Sequence, residues 1–173
     1  MLRKLVLVFF IILPMLSFAN QPNLNDILAQ NNQLVGKVKF KKWFFHIYNA
    51  ELLTKSGNFN WDKPFVLKIH YLIGFKSKII VNRTISEISK QHKAETKENK
   101  EKYSEIISKV IPDIKKNSYL YGYMSKDGYA YILTKDKLVG MIDDKQLSKY
   151  FFEIWLSDKT SDDTMSKQLR GIK

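Results

Sequence analysis

No cysteine occurs anywhere in the 173 residues. Disulfides, thiol chemistry and thiolate metal sites are excluded, and a chain exported to an oxidising compartment has to be held by packing alone. Acidic residues are scarce, 17 Asp and Glu against 29 Lys and Arg, which leaves a formal charge of +12. That balance favours anionic partners: lipid headgroups, acidic polymers or acidic metabolites. Scattered lysines also keep a protein in solution without any dedicated basic site. A Gly-rich phosphate loop, a nucleophile elbow and an HExxH helix are missing. There is no internal repeat and no low-complexity tract.

Long apolar runs are missing too. Leu5 to Leu16 is apolar but shorter than the about 20 residues a membrane helix needs. Arg3 and Lys4 precede it and Ser17-Phe18-Ala19 follow it. This is the order of a secretory signal peptide, with cleavage expected after Ala19. The chain then divides into a signal peptide at 1–19, a linker or short helix at 20–33, and one domain at 34–173. Export points to the periplasm and makes nucleic acid a poor partner.

What is present is a change of period along the chain. Leu34 to Phe40 alternates as a strand. Trp43 to Leu53 carries bulky groups on both faces, which predicts a strand covered on both sides. Gly57 to Lys63 is a loop, and Phe65 to Ile73 is a further strand. Val81, Ile85 and Ile88 then take helical spacing after Ser77. Tyr103, Ile106, Ile107, Val110, Ile111 and Ile114 form a second apolar stripe, ended near Pro112. Between them Lys90 to Lys102 reads as a solvated face or loop. Tyr119 to Met124, Tyr129 to Leu133 and Leu138 to Ile142 restore the period of two, with Asp127-Gly128 as a hairpin turn. Asp143 with Gln146 suggests a capping box, before the stripe Leu147, Tyr150, Phe151 and Ile154. Thr160 or Ser161 is expected to cap a last helix carrying Met165, Leu169 and Ile172. Strands, helices, a meander and helices again give an α+β domain, a largely antiparallel sheet covered on one face by a helical layer.

Three stretches sharpen this reading. Val35-Gly36 leads to Ile47-Tyr48-Asn49-Ala50-Glu51-Leu52. Pro64-Phe65-Val66-Leu67-Lys68-Ile69-His70-Tyr71 follows. The third is Phe151-Phe152-Glu153-Ile154-Trp155-Leu156-Ser157, with Thr160-Ser161 and Leu169 after it. In this order they resemble the motifs of the chalcone isomerase-like family, in its secreted bacterial branch, with Asn49 where that family has Asp. The resemblance spans about Leu34 to Gly171. It implies an open-faced β-sandwich with a ligand cleft between sheet and helices. Enzymes of the family close a chalcone ring; relatives bind fatty acids or act as non-catalytic helpers.

In the enzymes the resemblance implies an Arg on the first strand and a Thr just before the Val-Tyr motif. Here the first strand carries Lys37, Lys39, Lys41 and Lys42, and the stretch before Ile47-Tyr48 includes Trp43-Phe44-Phe45. A Lys supplies charge but not a planar fork of donors. Both departures count against ring closure, and no catalytic residue is assigned. The candidate ligand-binding residues are Lys37, Lys41 and Arg83 for an acidic head, and Tyr48, Tyr71 and Trp155 for an apolar body. Strand tyrosines, Tyr119, Tyr121, Tyr123, Tyr129 and Tyr131 among them, could send hydroxyls into the same cleft, although such rings more often pack and reach water. His46 and His70 lie mid-strand without a carboxylate at ligand spacing, and two ligands rarely hold zinc; no metal or cofactor is expected. Asn82-Arg83-Thr84 matches a glycosylation sequon within an expected helix.

Three functions remain open. The first is a periplasmic, non-catalytic binder of an apolar or amphipathic small molecule such as a fatty acid. The second is an isomerase of the intramolecular lyase type on another substrate. The third is an interaction module whose basic surface meets an anionic membrane or an acidic partner.

Overall fold

A computed structural model describes residues 22–172, so the expected signal peptide lies outside the described residues. In chain order the elements are α1 (Leu24–Gln30), β1 (Gln33–Lys42), β2 (Phe45–Thr54), β3 (Phe65–Tyr71), α2 (Ser77–Gln91), α3 (Lys97–Val110), β4 (Ser118–Met124), β5 (Ala130–Leu133), β6 (Leu138–Ile142), α4 (Lys145–Leu156) and α5 (Asp163–Leu169). The six strands form one open antiparallel sheet in sequence order. It is a meander into which α2 and α3 are inserted.

Alternation decides the two faces. Val38, Tyr48, Ala50, Leu52, Phe65, Leu67, Ile69, Tyr71, Leu120 and Ile132 are buried against α2–α5. The opposite face is covered only in part, where Ile27 of α1 packs on Val66, Tyr121 and Leu133. The expected α+β architecture is therefore present, with α1 as a small cap on the far side.

Local chemistry corrects several boundaries. β2 is covered on both sides only near its end, where Leu53 packs against the α1 cluster; farther back its outer face carries Asn49 and Glu51, which stay partly exposed. Only Tyr48, Ala50, Leu52 and Thr54 are buried along β2. Trp43 and Phe44 belong to the turn, not the strand, and β3 stops at Tyr71. α3 starts earlier and ends at Val110. Ile111 precedes Pro112, and a residue before proline is pushed out of the helical region; it is extended, at φ −96° and ψ 113°. Ile114 is consequently not helical and bridges to Phe75 instead.

The cap of α4 is Asp144, not Asp143: its carboxylate accepts from the Leu147 amide at 2.9 Å. The cap of α5 is Asp162, accepting from Met165 at 2.9 Å, rather than Thr160 or Ser161. Those two hydroxyls have other partners, donating to the Ile154 carbonyl at 2.6 Å and to Glu87 at 2.7 Å. Ile172 lies beyond the helix.

The closing segment seals the layer. Phe152 and Leu156 are fully buried, and Phe152 meets Phe65 edge-on at 4.9 Å between ring centroids. Glycine matters at Gly36, where a Cβ would fall 2.0 Å from the Gln168 carbonyl oxygen. Only a bare backbone lets the end of α5 dock on β1.

Candidate functional site

One end of the sheet–helix interface is hollow. Here a cavity of ≈ 290 Å³ opens between β1–β3, α2, the end of α4 and the start of α5. The adjoining space between Leu67, Ile69 and Phe151 shrinks to ≈ 10 Å³. The sheet supplies the floor. An extra residue in β2, opposite the step from Phe40 to Lys41, breaks the ladder. Bulges of this kind re-aim side chains, and Ile47 joins Tyr48 in the cavity wall.

Its walls are mostly apolar: Phe40, Ile47, Tyr71, Phe75, Ile80 and Trp155. A hydrogen-bonded polar pair is set into them. The Trp155 Nε1–H donates to the Tyr48 hydroxyl at 3.0 Å, and that hydroxyl points to the Met165 sulfur at 3.7 Å. Burial pushes the Tyr48 phenol far up, though the Trp155 hydrogen bond opposes it. Burial does the same to Tyr71, with a smaller push from neighbouring Tyr48. Both phenols are therefore neutral at any ordinary pH; they can donate a hydrogen bond but cannot serve as bases.

The rim on the helical side is charged. Arg83 and Glu87, one turn apart on α2, pair at 2.7 Å. Lys90 and the Ser161 hydroxyl also donate to Glu87, at 2.9 Å and 2.7 Å. Burial pushes the Glu87 carboxyl up, but these hydrogen bonds and the Arg83 charge outweigh it and hold it below the usual range. The Arg83 side chain lines the cavity and is 57% exposed, so donors beyond the one used by Glu87 stay accessible. Lys42 stands on the strand side of the same rim.

Four of the six candidates thus meet at one cavity: Tyr48, Tyr71, Arg83 and Trp155. Lys37 and Lys41 do not. They alternate with Val38 and Phe40, so when those turn inward the two lysines turn to the exposed outer face. Lys42, Thr84, Glu87, Asp162 and Met165 also line the site without having been singled out. Lys42 was readable from its phase with Val38 and Phe40, and Glu87 from its four-residue spacing to Arg83. Tyr119, Tyr121, Tyr123 and Tyr131 belong to the opposite face, in or against the cluster under α1. His70 stacks there on Tyr119 at 4.4 Å, while the His46 ring is hydrogen-bonded to Asn49 at 2.8 Å.

A family profile described as chalcone isomerase-like matches residues 25–171. The chain belongs to the chalcone isomerase-like family. A search of curated proteins finds no match. Among solved structures, a fatty-acid binding protein of Arabidopsis thaliana is similar, with a TM-score of 0.56 and 10% identity. The alignment covers 80% of this chain and 84% of that one. At such identity the likeness concerns the fold. Compared with the polar groups expected of the ring-closing members of the chalcone isomerase-like family, the cation of β1 at the cavity is Lys42, and the threonines in the wall are Thr84 of α2 and Thr160 before α5.

Proposed function

We propose that this protein is a periplasmic, non-catalytic carrier of an amphipathic small molecule, with a fatty acid as the simplest ligand that fits. The observation that carries this reading is the polarity of the cavity. Apolar side chains form its depth, and Arg83 and Lys42 stand at its rim. An alkyl chain would lie over Tyr71, Ile80 and Trp155, and a carboxylate would meet the guanidinium, whose paired donors suit it. The volume of ≈ 290 Å³ is near the lower bound of about 300 Å³ for small-molecule pockets, so one modest ligand is accommodated. The similar fold of a protein that binds fatty acids is consistent with this use of the space.

Catalysis has less support. Tyr48 and Tyr71 are held neutral. Glu87 is held ionised between two cations, and Asp162 caps α5. Each acidic group of the wall is already committed, whereas general base catalysis wants a group poised near the working pH.

Native mass spectrometry of protein taken from the periplasmic fraction, followed by organic extraction, tests the proposal. A reproducible bound mass, released on denaturation and identified as an amphipathic acid, is the expected result. A clean unliganded mass that does not change when fatty acids are offered would overturn it.

A further inference from the structure

The β1–β2 hairpin ends in a bare aromatic tip. Trp43, Phe44 and Phe45 are 86%, 100% and 66% exposed. Trp43 is the first of two loop residues and holds a φ of 56°. Hairpin loops of this length favour Gly, Asn or Asp at positive φ, and a bulky side chain is strained there. A chain needing only a reversal would be better served by small polar residues.

The tip stands beside the cavity. Phe40 and Lys42 before it, and Ile47 after it, line the cavity wall. Six large apolar side chains are exposed among the described residues, and four of them are at this end: the three of the tip, and Ile79 on the α2 wall of the cavity. The strand leading to the tip carries Lys37, Lys39, Lys41 and Lys42, all exposed. Among the described residues none of these four is in an ion pair.

We propose that this hairpin docks the protein on an anionic lipid bilayer. Trp43, Phe44 and Phe45 enter the interfacial layer while the lysines beside the tip, Lys41 and Lys42, lie against the headgroups. Tryptophan is suited to that layer because its ring is amphipathic. An apolar insertion backed by clustered cations is the combination that binds anionic membranes. Charge complementarity selects anionic over neutral lipid. A bilayer accepts a convex tip of three rings, whereas a protein partner would have to offer a matching acidic hollow. Docked this way, the open end of the cavity faces the membrane. An amphipathic ligand then passes between bilayer and cavity without crossing bulk water, a consequence that rests on the binding reading above.

The test uses protein purified from the periplasmic fraction, its N-terminus verified by mass, and vesicles of phosphatidylglycerol and phosphatidylethanolamine. The wild type is expected to sediment with these vesicles and to bind phosphatidylcholine vesicles at least tenfold more weakly. Raising salt to about 0.5 M should weaken the binding by screening. The double variant Trp43→Gly/Phe44→Ser should bind the anionic vesicles at least tenfold more weakly while melting at the wild-type temperature. Binding of a fluorescent fatty acid, measured without vesicles, should be the same in both proteins, so failure of docking and failure of cavity binding are told apart. Equal vesicle binding by wild type and variant would overturn the proposal. So would a wild type that ignores the vesicles.

Discussion

β3 runs between two unlike ends of one interface. At its start Phe65 is fully buried beneath Phe152, and Phe59 and Trp61 from the preceding loop close over it at 5.3 Å and 5.9 Å between ring centroids. At its finish Tyr71 borders the cavity. Both ends have the same layers, strand above and helices below. What differs is how side-chain volume is distributed. At the packed end Gly122 leaves room for the Phe152 ring, since a Cβ there would fall 2.8 Å from it. At the open end the aromatic rings stand around a space instead of filling it. Tyr48 is held by the Trp155 indole and stacked on Phe40 at 4.8 Å, so a hydrogen bond and ring contacts fix the wall. Tight packing is concentrated at one end, and the room for a ligand is left at the other.

The largest expected effect comes from breaking the packed end. Phe152→Ala removes a fully buried ring between Phe65 and Gly122. Large-to-small changes of this kind cost about 3–5 kcal/mol when the site cannot collapse. Urea unfolding should show that loss with binding of a fluorescent fatty acid retained in the folded fraction. A cost below about 1 kcal/mol would mean that the Phe65–Phe152 end is not the tightly packed one.

Filling the open end should do the reverse. Ile80 is half-buried on α2 and faces the cavity. Ile80→Trp adds an indole where space already exists, so the overpacking that costs about 1–3 kcal/mol in a tight core is avoided. Unfolding stability is expected to stay within about 1 kcal/mol, and fatty-acid binding to fall at least tenfold. Unchanged binding would place the ligand elsewhere; strong destabilisation would show the cavity to be less roomy than described.

Much of this contrast could be read along the chain, and the exceptions have local causes. The strands, the α2 and α3 stripes and the Asp127-Gly128 turn follow from period and turn chemistry, and Gly128 indeed holds a φ of 83°. The sheet's far face was harder. Tyr119, Tyr121 and Tyr123 alternate with Leu120, Gly122 and Met124, and either stripe could have faced the helices. The smaller residues do so, because Phe152 needs the room that only Gly122 leaves. Adjacent candidates separated poorly: Asp143 from Asp144, and Ser161 from Asp162. Which one caps a helix depends on where the backbone first turns helical, and periodicity fixes that only to within a residue or two. Charge alone points to Lys37 and Lys41; strand phase, equally visible in the sequence, points to Lys42 instead. The exposed tip at Trp43 was masked by its own hydrophobicity, which made a turn resemble a covered strand.

The smallest effect concerns the charge set into the open end. Glu87 is 3% exposed and paired with Arg83 and Lys90. Its carboxyl is held below the usual range, with burial opposed by the Lys90 and Ser161 hydrogen bonds and the Arg83 charge. The folded state therefore binds the proton less readily than the unfolded chain, whose glutamates titrate near about 4.3. The stabilisation from this group is present above that pH and is lost as pH falls through the lower folded value. Glu87→Gln keeps the shape and removes the titration. The stability gap between wild type and variant should be widest near pH 7 and should narrow progressively below about pH 4.3. Other carboxylates held low, such as Glu95 and Asp144, titrate in both proteins and cancel in the difference. A gap that stays constant down to acid pH would mean that Glu87 contributes by packing alone, and that the rim of the cavity owes nothing to its charge.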